Sequence, residues 1–219
     1  MTVYSPALSG IFIYGDDNLE KVIAIDIDDT LNNFTEVLRE TEFPYNKSYR
    51  VNEKQYNKYL SAIKSNNISD DMVDDYGFQG LWKMISLQCY DKTKIKPGAS
   101  EFMQWLKNNG WKTIILTARN LQNSLDITKK FFSDNNIPYD YIFNSDTNGK
   151  VILCKCWDIP YLIDNDLYNI ICGQKLDIQV FYPINSDIKS NIEQVEKNED
   201  YKNMAKGFHN FDEVKQWIK

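Results

Sequence analysis

Val22-Ile-Ala-Ile-Asp26-Ile-Asp28-Asp29-Thr30-Leu31 is the stretch on which the fold of this chain turns. Its first four residues are apolar without alternation, the pattern of a strand buried on both faces of a parallel sheet. That strand delivers Asp26 and Asp28, one residue apart, to its C-terminal end, where open α/β sheets place their ligands. Asp-rich turns also cap strands and helices, and Asp29-Thr30 alone reads equally well as a helix N-cap. Two later segments repeat the arrangement: Ile114-Ile115-Leu116-Thr117 ends an apolar run with a hydroxyl, and Tyr161-Leu162-Ile163-Asp164 ends one with a third carboxylate.

Outward from that strand, Ile11-Phe-Ile-Tyr14 followed by Gly15-Asp-Asp-Asn18 predicts a short edge strand and a turn leading into Lys21 to Ile27. From Asn32 to about Lys96 the period changes to that of helices, with Tyr56, Tyr59, Leu60 and Ile63 at helical spacing, then Leu81, Trp82, Ile85 and Cys89, and Asn66-Asn67 and Gly77 as breaks. Pro97-Gly98 opens a further helix bearing Phe102, Met103, Trp105 and Leu106, which Gly110 is placed to end. Leu121, Leu125, Phe131 and Phe132 predict the next helix, Tyr141-Ile-Phe143 a strand, Lys150 the start of a short helical segment, Ile178 to Phe181 a last strand, and Phe211 to Ile218 a closing helix. Ser186 to Asn203 is polar enough for a loop or an exposed helix. The alternation of strand and helix predicts an α/β fold with a doubly wound parallel sheet, its core formed by residues 1–31 and 97–219, with a small helical insertion, residues 32–96, after the first strand.

Composition narrows the function classes. The chain has 219 residues, enough for one α/β core and a modest insertion. A net charge of −6 and a sequence pI near 4.9 argue against a protein that tracks polymeric nucleic acid by its backbone. Lys129-Lys130 and Lys202 to Lys206 are short basic patches that a solvated helix face explains. No apolar run approaches the ~20 residues of a membrane span, and the first residues lack a signal-peptide pattern, so a cytoplasmic protein is expected. Cys89, Cys154, Cys156 and Cys172 lack metal-site spacing and read as reduced thiols, with Cys154-Lys-Cys156 as a redox pair the alternative. His209 is the single histidine, which excludes multi-His metal sites.

The strand-borne Asp26-x-Asp28-x-Thr30, the strand-end Thr117, a following lysine and Asp164 together resemble the motifs of the haloacid dehalogenase-like (HAD) phosphotransferases, across about Lys21 to Asp166. The resemblance implies a core of that fold with a cap in residues 32–96. It makes Asp26 a nucleophile that forms an aspartyl-phosphate, and Asp28 the acid that protonates the leaving oxygen and then deprotonates water. Mg2+ would be held by the side chains of Asp26 and Asp164 and the main-chain carbonyl of Asp28. Thr117 would donate its hydroxyl to the phosphoryl group, with Ala118, through its amide, and Arg119 beside it as substrate-binding residues. Lys150, fourteen residues before Asp164, matches the third motif better than Lys155, though either lysine could be an ordinary surface residue. Many relatives have a second Asp after the one that Asp164 matches, but here Asn165 and then Asp166 follow, which leaves the outer support of a metal open.

Asp26-x-Asp28-x5-Phe34 before a helical cap, and the closing segment Phe208 to Trp217, are similar to the 5'(3')-deoxyribonucleotidases and their bacterial and phage relatives. That resemblance implies a small-molecule phosphomonoester as partner, a nucleotide whose base stacks on Phe34. Packing inside the cap is the competing role for Phe34, and Phe43, Tyr76, Phe78 and Trp82 are candidates to complete an aromatic pocket. The expected activity is that of a Mg2+-dependent phosphatase acting on a deoxynucleoside monophosphate. The alternatives are a phosphatase for sugar phosphates or polynucleotide 3' ends, and a catalytically silent binding protein of the same fold. A homodimer is compatible with the sequence, which does not decide the oligomeric state.

Overall fold

Alternation of side chains across a strand explains how one apolar run serves two cores. In the computed structural model, which describes residues 21–40, 86–184 and 205–218, β1 (Val22–Ile25) turns Ile23 and Ile25 to one face and Val22 and Ala24 to the other. The same division recurs in β2 (Lys112–Thr117) and β4 (Tyr161–Ile163), and helices cover both faces. On one side α2 (Ala99–Asn108), α3 (Leu121–Asp134) and α6 (Phe211–Trp217) pack Phe102, Leu106, Phe132, Phe211 and Val214 over Ile23, Ile25, Ile115 and Ile163. On the other, α4 (Lys150–Cys156) and α5 (Leu167–Lys175) place Val151, Cys154 and Ile170 over Ala24, Ile114 and Leu162. The central strands are thus buried between layers, the condition under which a parallel sheet is stable.

With β3 (Tyr141–Asn144), β5 (Gln179–Pro183) and β6 (Ala205–Phe208), the sheet has six strands in the order β3-β2-β1-β4-β5-β6. All pairings are parallel, with Ile25 opposite Ile115 on one side and Ile163 on the other. The chain winds outward from β1 through β2 to β3, then crosses to the other side of β1 and winds outward again. The reversal between β1 and β4 opens a crevice at the carboxyl ends of those two strands.

The expected doubly wound parallel sheet is therefore present, and it contains a strand, β6, that the sequence does not predict. Ile178 to Phe181 is not the last strand, because β6 pairs alongside β5 from Val180↔Ala205 to Pro183↔Phe208. Ala-Lys-Gly-Phe carries little strand signal, since only its two ends are buried and Gly207 is there to admit its neighbours. A Cβ on Gly207 would lie 2.7 Å from Ile184 Cδ1 and 2.9 Å from the Tyr182 ring. Lys206, placed in a basic helical patch by sequence, is an exposed residue of this strand. Helix α2 ends as expected: Gly110 has φ 76°, a left-handed turn that costs glycine least.

After β1 the chain turns sharply through Asp29, a non-glycine residue at φ 59°. Its carboxylate accepts from the Thr35 amide (2.7 Å) and the Thr35 hydroxyl, which ties the turn to α1 (Phe34–Glu40). The segment leaving the core meets the segment returning to it: Asn32 bridges Ile95 antiparallel, Asn33 N donates to Lys94 O (3.2 Å), and Lys96 N donates to Leu31 O (2.8 Å). The helical patterns at Tyr56 to Ile63 and at Leu81 to Ile85 lie outside the described residues, as do Ile11 to Tyr14, Phe43, Tyr76, Phe78, Trp82 and the stretch from Ser186 to Asn203. Cys154 is buried under β4 and Cys156 is exposed, and the two do not pair. Among the described residues no helix is long and apolar enough to cross a membrane.

Candidate active site

The crevice between β1 and β4 brings two carboxylates and one ammonium together. The ladder runs on past the last strand residues, with Asp26 N donating to Ile163 O (2.9 Å) and Asp164 N to Phe181 O (3.0 Å), so Asp26 and Asp164 stand side by side. Lys150, the first residue of α4, enters from the next layer after a 3-10 turn at Thr147–Gly149. Its Nζ lies 2.6 Å from Asp26 Oδ1 and 3.0 Å from Asp164 Oδ2, and all three side chains are at most 5% exposed. Lys155 instead lies 51% exposed beside Asp177. Of the two lysines, the fold brings Lys150 to the carboxylates.

Two negative charges and one positive charge buried together leave a deficit of positive charge. Burial pushes the Asp26 carboxyl up to about 7, with Asp164 and Asp28 raising it further and Lys150 opposing them. Burial also works to lower the Lys150 ammonium, but Asp164 and Asp26 outweigh it and hold that group above its ordinary value. Among the described residues, Asp26 Oδ2 and the Asp28 carbonyl accept no hydrogen bond.

Asp28 occupies a different setting. Arg119 Nε donates to its Oδ2 (2.9 Å) and Arg119 Nη2 to its Oδ1 (2.6 Å), a two-pronged pair that fixes the carboxylate plane. Asn32 Nδ2 adds a third bond to Oδ1 (3.0 Å). The Asp28 side chain is 22% exposed while that of Arg119 is fully buried. Sequence reasoning assigns Arg119 to substrate; the structure turns its guanidinium to Asp28 and, through Nη1, to the Thr128 hydroxyl (3.1 Å). A guanidinium buried this deeply has to be paired within the protein.

Thr117, the last residue of β2, is fully buried, and its Oγ1 accepts from Arg119 N (3.1 Å), which leaves the hydroxyl proton for another acceptor. Ala118 beside it is exposed. Asn144 at the end of β3 clamps this turn, its Nδ2 donating to Thr117 O (3.1 Å) and Arg119 O (2.6 Å). Phe34 stands on α1 with its ring 5.4 Å from that of Tyr90 and 7% exposed.

The residues after Asp164 divide their work. Asp166 caps α5, its Oδ1 accepting from Tyr168 N (2.9 Å) and Asn169 N (3.3 Å), while its own amide donates to Asp164 Oδ1 (2.7 Å). Asn165 Oδ1 accepts from the Thr30 hydroxyl (3.3 Å), joining the loops after β1 and β4. Asn169, which sequence reasoning missed, is fully buried. Its amide donates to Asp164 Oδ2 (3.1 Å) and Thr147 O (2.7 Å), fixing both the carboxylate and the turn that presents Lys150. The available signal was a polar residue on the buried side of α5. Tyr90, Thr128, Asn32 and Asn144 were also missed, and each carries only the signature of an ordinary cap or core residue.

The donor set fits a hard divalent cation. Among the described residues no three acidic, His or Cys side chains form a metal cluster. A cation here would draw on the Asp26 and Asp164 carboxylates, the Asp28 carbonyl and water. Mg2+ is usually bound in this way, by one or two carboxylates with the remaining positions left to water and substrate.

No family model matches the chain, and no curated protein is similar to it in sequence. Solved structures are similar in fold. A haloacid dehalogenase-like family hydrolase from Streptococcus pneumoniae superposes with a TM-score of 0.56 at 12% identity, over 91% of this chain and 98% of that one. A protein described as a predicted phosphatase from Clostridium acetobutylicum gives 0.56 at 17% identity over 92% and 99%. The D,D-heptose 1,7-bisphosphate phosphatase from B. bronchiseptica, complexed with magnesium and phosphate, gives 0.52 at 12% identity over 90% and 97%. The chain therefore has the fold of haloacid dehalogenase-like hydrolases and phosphatases.

Proposed function

We propose that this chain is a Mg2+-dependent phosphomonoesterase of the HAD type that hydrolyses a small nucleotide, with a deoxynucleoside monophosphate as the expected substrate. The observation that carries phosphoryl transfer is the buried group Asp26, Lys150 and Asp164 at the switch point of the sheet, with one oxygen of Asp26 accepting no hydrogen bond among the described residues. An oxygen of Asp26 attacks phosphorus in line and the P–O bond to the alcohol breaks, giving an aspartyl-phosphate. Asp28, the partly open carboxyl of the site, gives the departing oxygen its proton. It then takes a proton from the water that cleaves the acyl phosphate, and Asp26 and inorganic phosphate are released. The Thr117 hydroxyl and the Ala118 amide donate to phosphoryl oxygens, and Lys150 offsets negative charge beside the nucleophile. Asp26, Asp164 and the Asp28 carbonyl would hold Mg2+, which would supply charge neutralisation for nucleophile and phosphate together.

The nucleotide part of the reading rests on the resemblance carried by Phe34 and the closing segment. Phosphate release from a deoxynucleoside monophosphate, a sugar phosphate and an oligonucleotide 3'-phosphate, each with Mg2+ and with a chelator, tests it. Release that needs Mg2+ and is fastest for the mononucleotide is expected. A faster sugar phosphate would move the substrate class, and no release from any of the three would leave a binding protein.

A further inference from the structure

Arg119 is held from three directions, and only one of them is Asp28. Its Nη1 donates to the Thr128 hydroxyl on α3 (3.1 Å), and its Cζ lies over the Tyr90 ring, 4.1 Å from the ring centre. Tyr90 belongs to the segment that returns from the insertion, in a helical stretch just before the neck at Ile95, and is itself buried against Phe34. A delocalised cation stacked on an aromatic face and hydrogen-bonded at its edge has little rotational freedom. Asp28 receives two of its three described hydrogen bonds from that cation. The orientation of Asp28 therefore depends on Tyr90 and Thr128 through the guanidinium that they hold.

We propose that Tyr90 and Thr128 are positioning residues for proton transfer: they lock Arg119, which locks Asp28, so that the segment returning from the insertion is coupled to the acid-base step. This rests on Asp28 being the acid of the proposed phosphatase. Proximity and orientation govern how well a general acid reaches the leaving oxygen, and a loosened carboxyl loses rate without losing substrate affinity.

The test uses the dependence on leaving group. An alkoxide, as from a deoxynucleoside monophosphate, needs a proton to depart, whereas the p-nitrophenolate of p-nitrophenyl phosphate leaves without one. Tyr90→Leu keeps an apolar side chain and removes the aromatic face; Thr128→Val keeps the shape and removes the acceptor. In each variant kcat/KM for the mononucleotide should fall roughly 10-fold or more, against about 2-fold or less for p-nitrophenyl phosphate, and Tyr90→Phe should recover most of the ratio. In an Asp28→Asn background the Tyr90→Leu loss should largely disappear, because the group being positioned is gone. Equal losses on both substrates, or an unchanged ratio in the folded Thr128→Val protein, would overturn the inference. Absence of activity in the wild-type chain on both substrates would instead overturn the phosphatase reading on which it rests.

Discussion

Replacing Lys150 by Met should destabilise the protein most at neutral pH and least in mild acid. Methionine fills much the same space but removes the ammonium that lies 2.6 Å from Asp26 and 3.0 Å from Asp164. Two carboxylates, each at most 5% exposed, then face one another without a cation. Removing one member of a buried ion pair costs roughly 3–5 kcal/mol. In a chain of this size about 1 kcal/mol moves Tm by about 2–4 °C, so a fall of roughly 6–20 °C is expected at about pH 7.5. The sign of the pH dependence follows from Asp26. Burial already raises its carboxyl from 3.8 to about 7, and without Lys150 the main influence lowering it is gone. The folded state then binds a proton that the unfolded state has released, so stability is highest below the unfolded value and is lost as pH rises through the folded one. The deficit of the variant should therefore shrink between about pH 7.5 and about pH 5.5, as the proton replaces the missing cation. Thermal unfolding followed by circular dichroism, without divalent cations, reads both effects. A fall in Tm of under about 2 °C, or a deficit that grows in acid, would refute the reasoning that Lys150 neutralises this pair.

Asp26→Asn should hold phosphate release to under a few per cent of wild type while the circular dichroism spectrum is retained, because an amide keeps the shape and cannot act as an anionic nucleophile. Greater activity in the folded variant would exclude covalent catalysis through Asp26. Asn165→Asp adds negative charge beside Asp164 and keeps the oxygen that accepts from Thr30, so a magnesium titration of activity should show a lower half-saturation. An equal or higher value would place Asn165 outside the influence of the metal. Phe34→Ala should lower kcat/KM for a deoxynucleoside monophosphate by roughly 10- to 100-fold, since base stacking contributes about 1–3 kcal/mol, with a much smaller change for p-nitrophenyl phosphate. Because the ring is buried against Tyr90, the same variant should also lose roughly 3–5 kcal/mol of stability, read from denaturant unfolding. Equal kinetic losses on both substrates would reduce Phe34 to packing.

The sequence by itself determined which residues stand at strand ends. Apolar runs bounded by Asp26, Thr117 and Asp164 report burial on both faces and where it stops, while Lys150 was picked out by its resemblance to the third HAD motif. A strand that buries only Ala205 and Phe208 escaped, because its short pattern with a glycine inside resembles a turn until β5 lies beside it. Partnership escaped as well. Arg119 reaches Asp28 across 91 residues and Lys150 reaches Asp26 across 124, pairings decided by the order β3-β2-β1-β4-β5-β6 and by which layer each helix joins. Periodicity records whether a side chain faces the core, since burial alone selects the apolar residue. Which charge a buried Arg119 neutralises, and that Tyr90 and Thr128 hold it there, depends on distances between elements remote in sequence, and those distances exist only once the sheet has assembled.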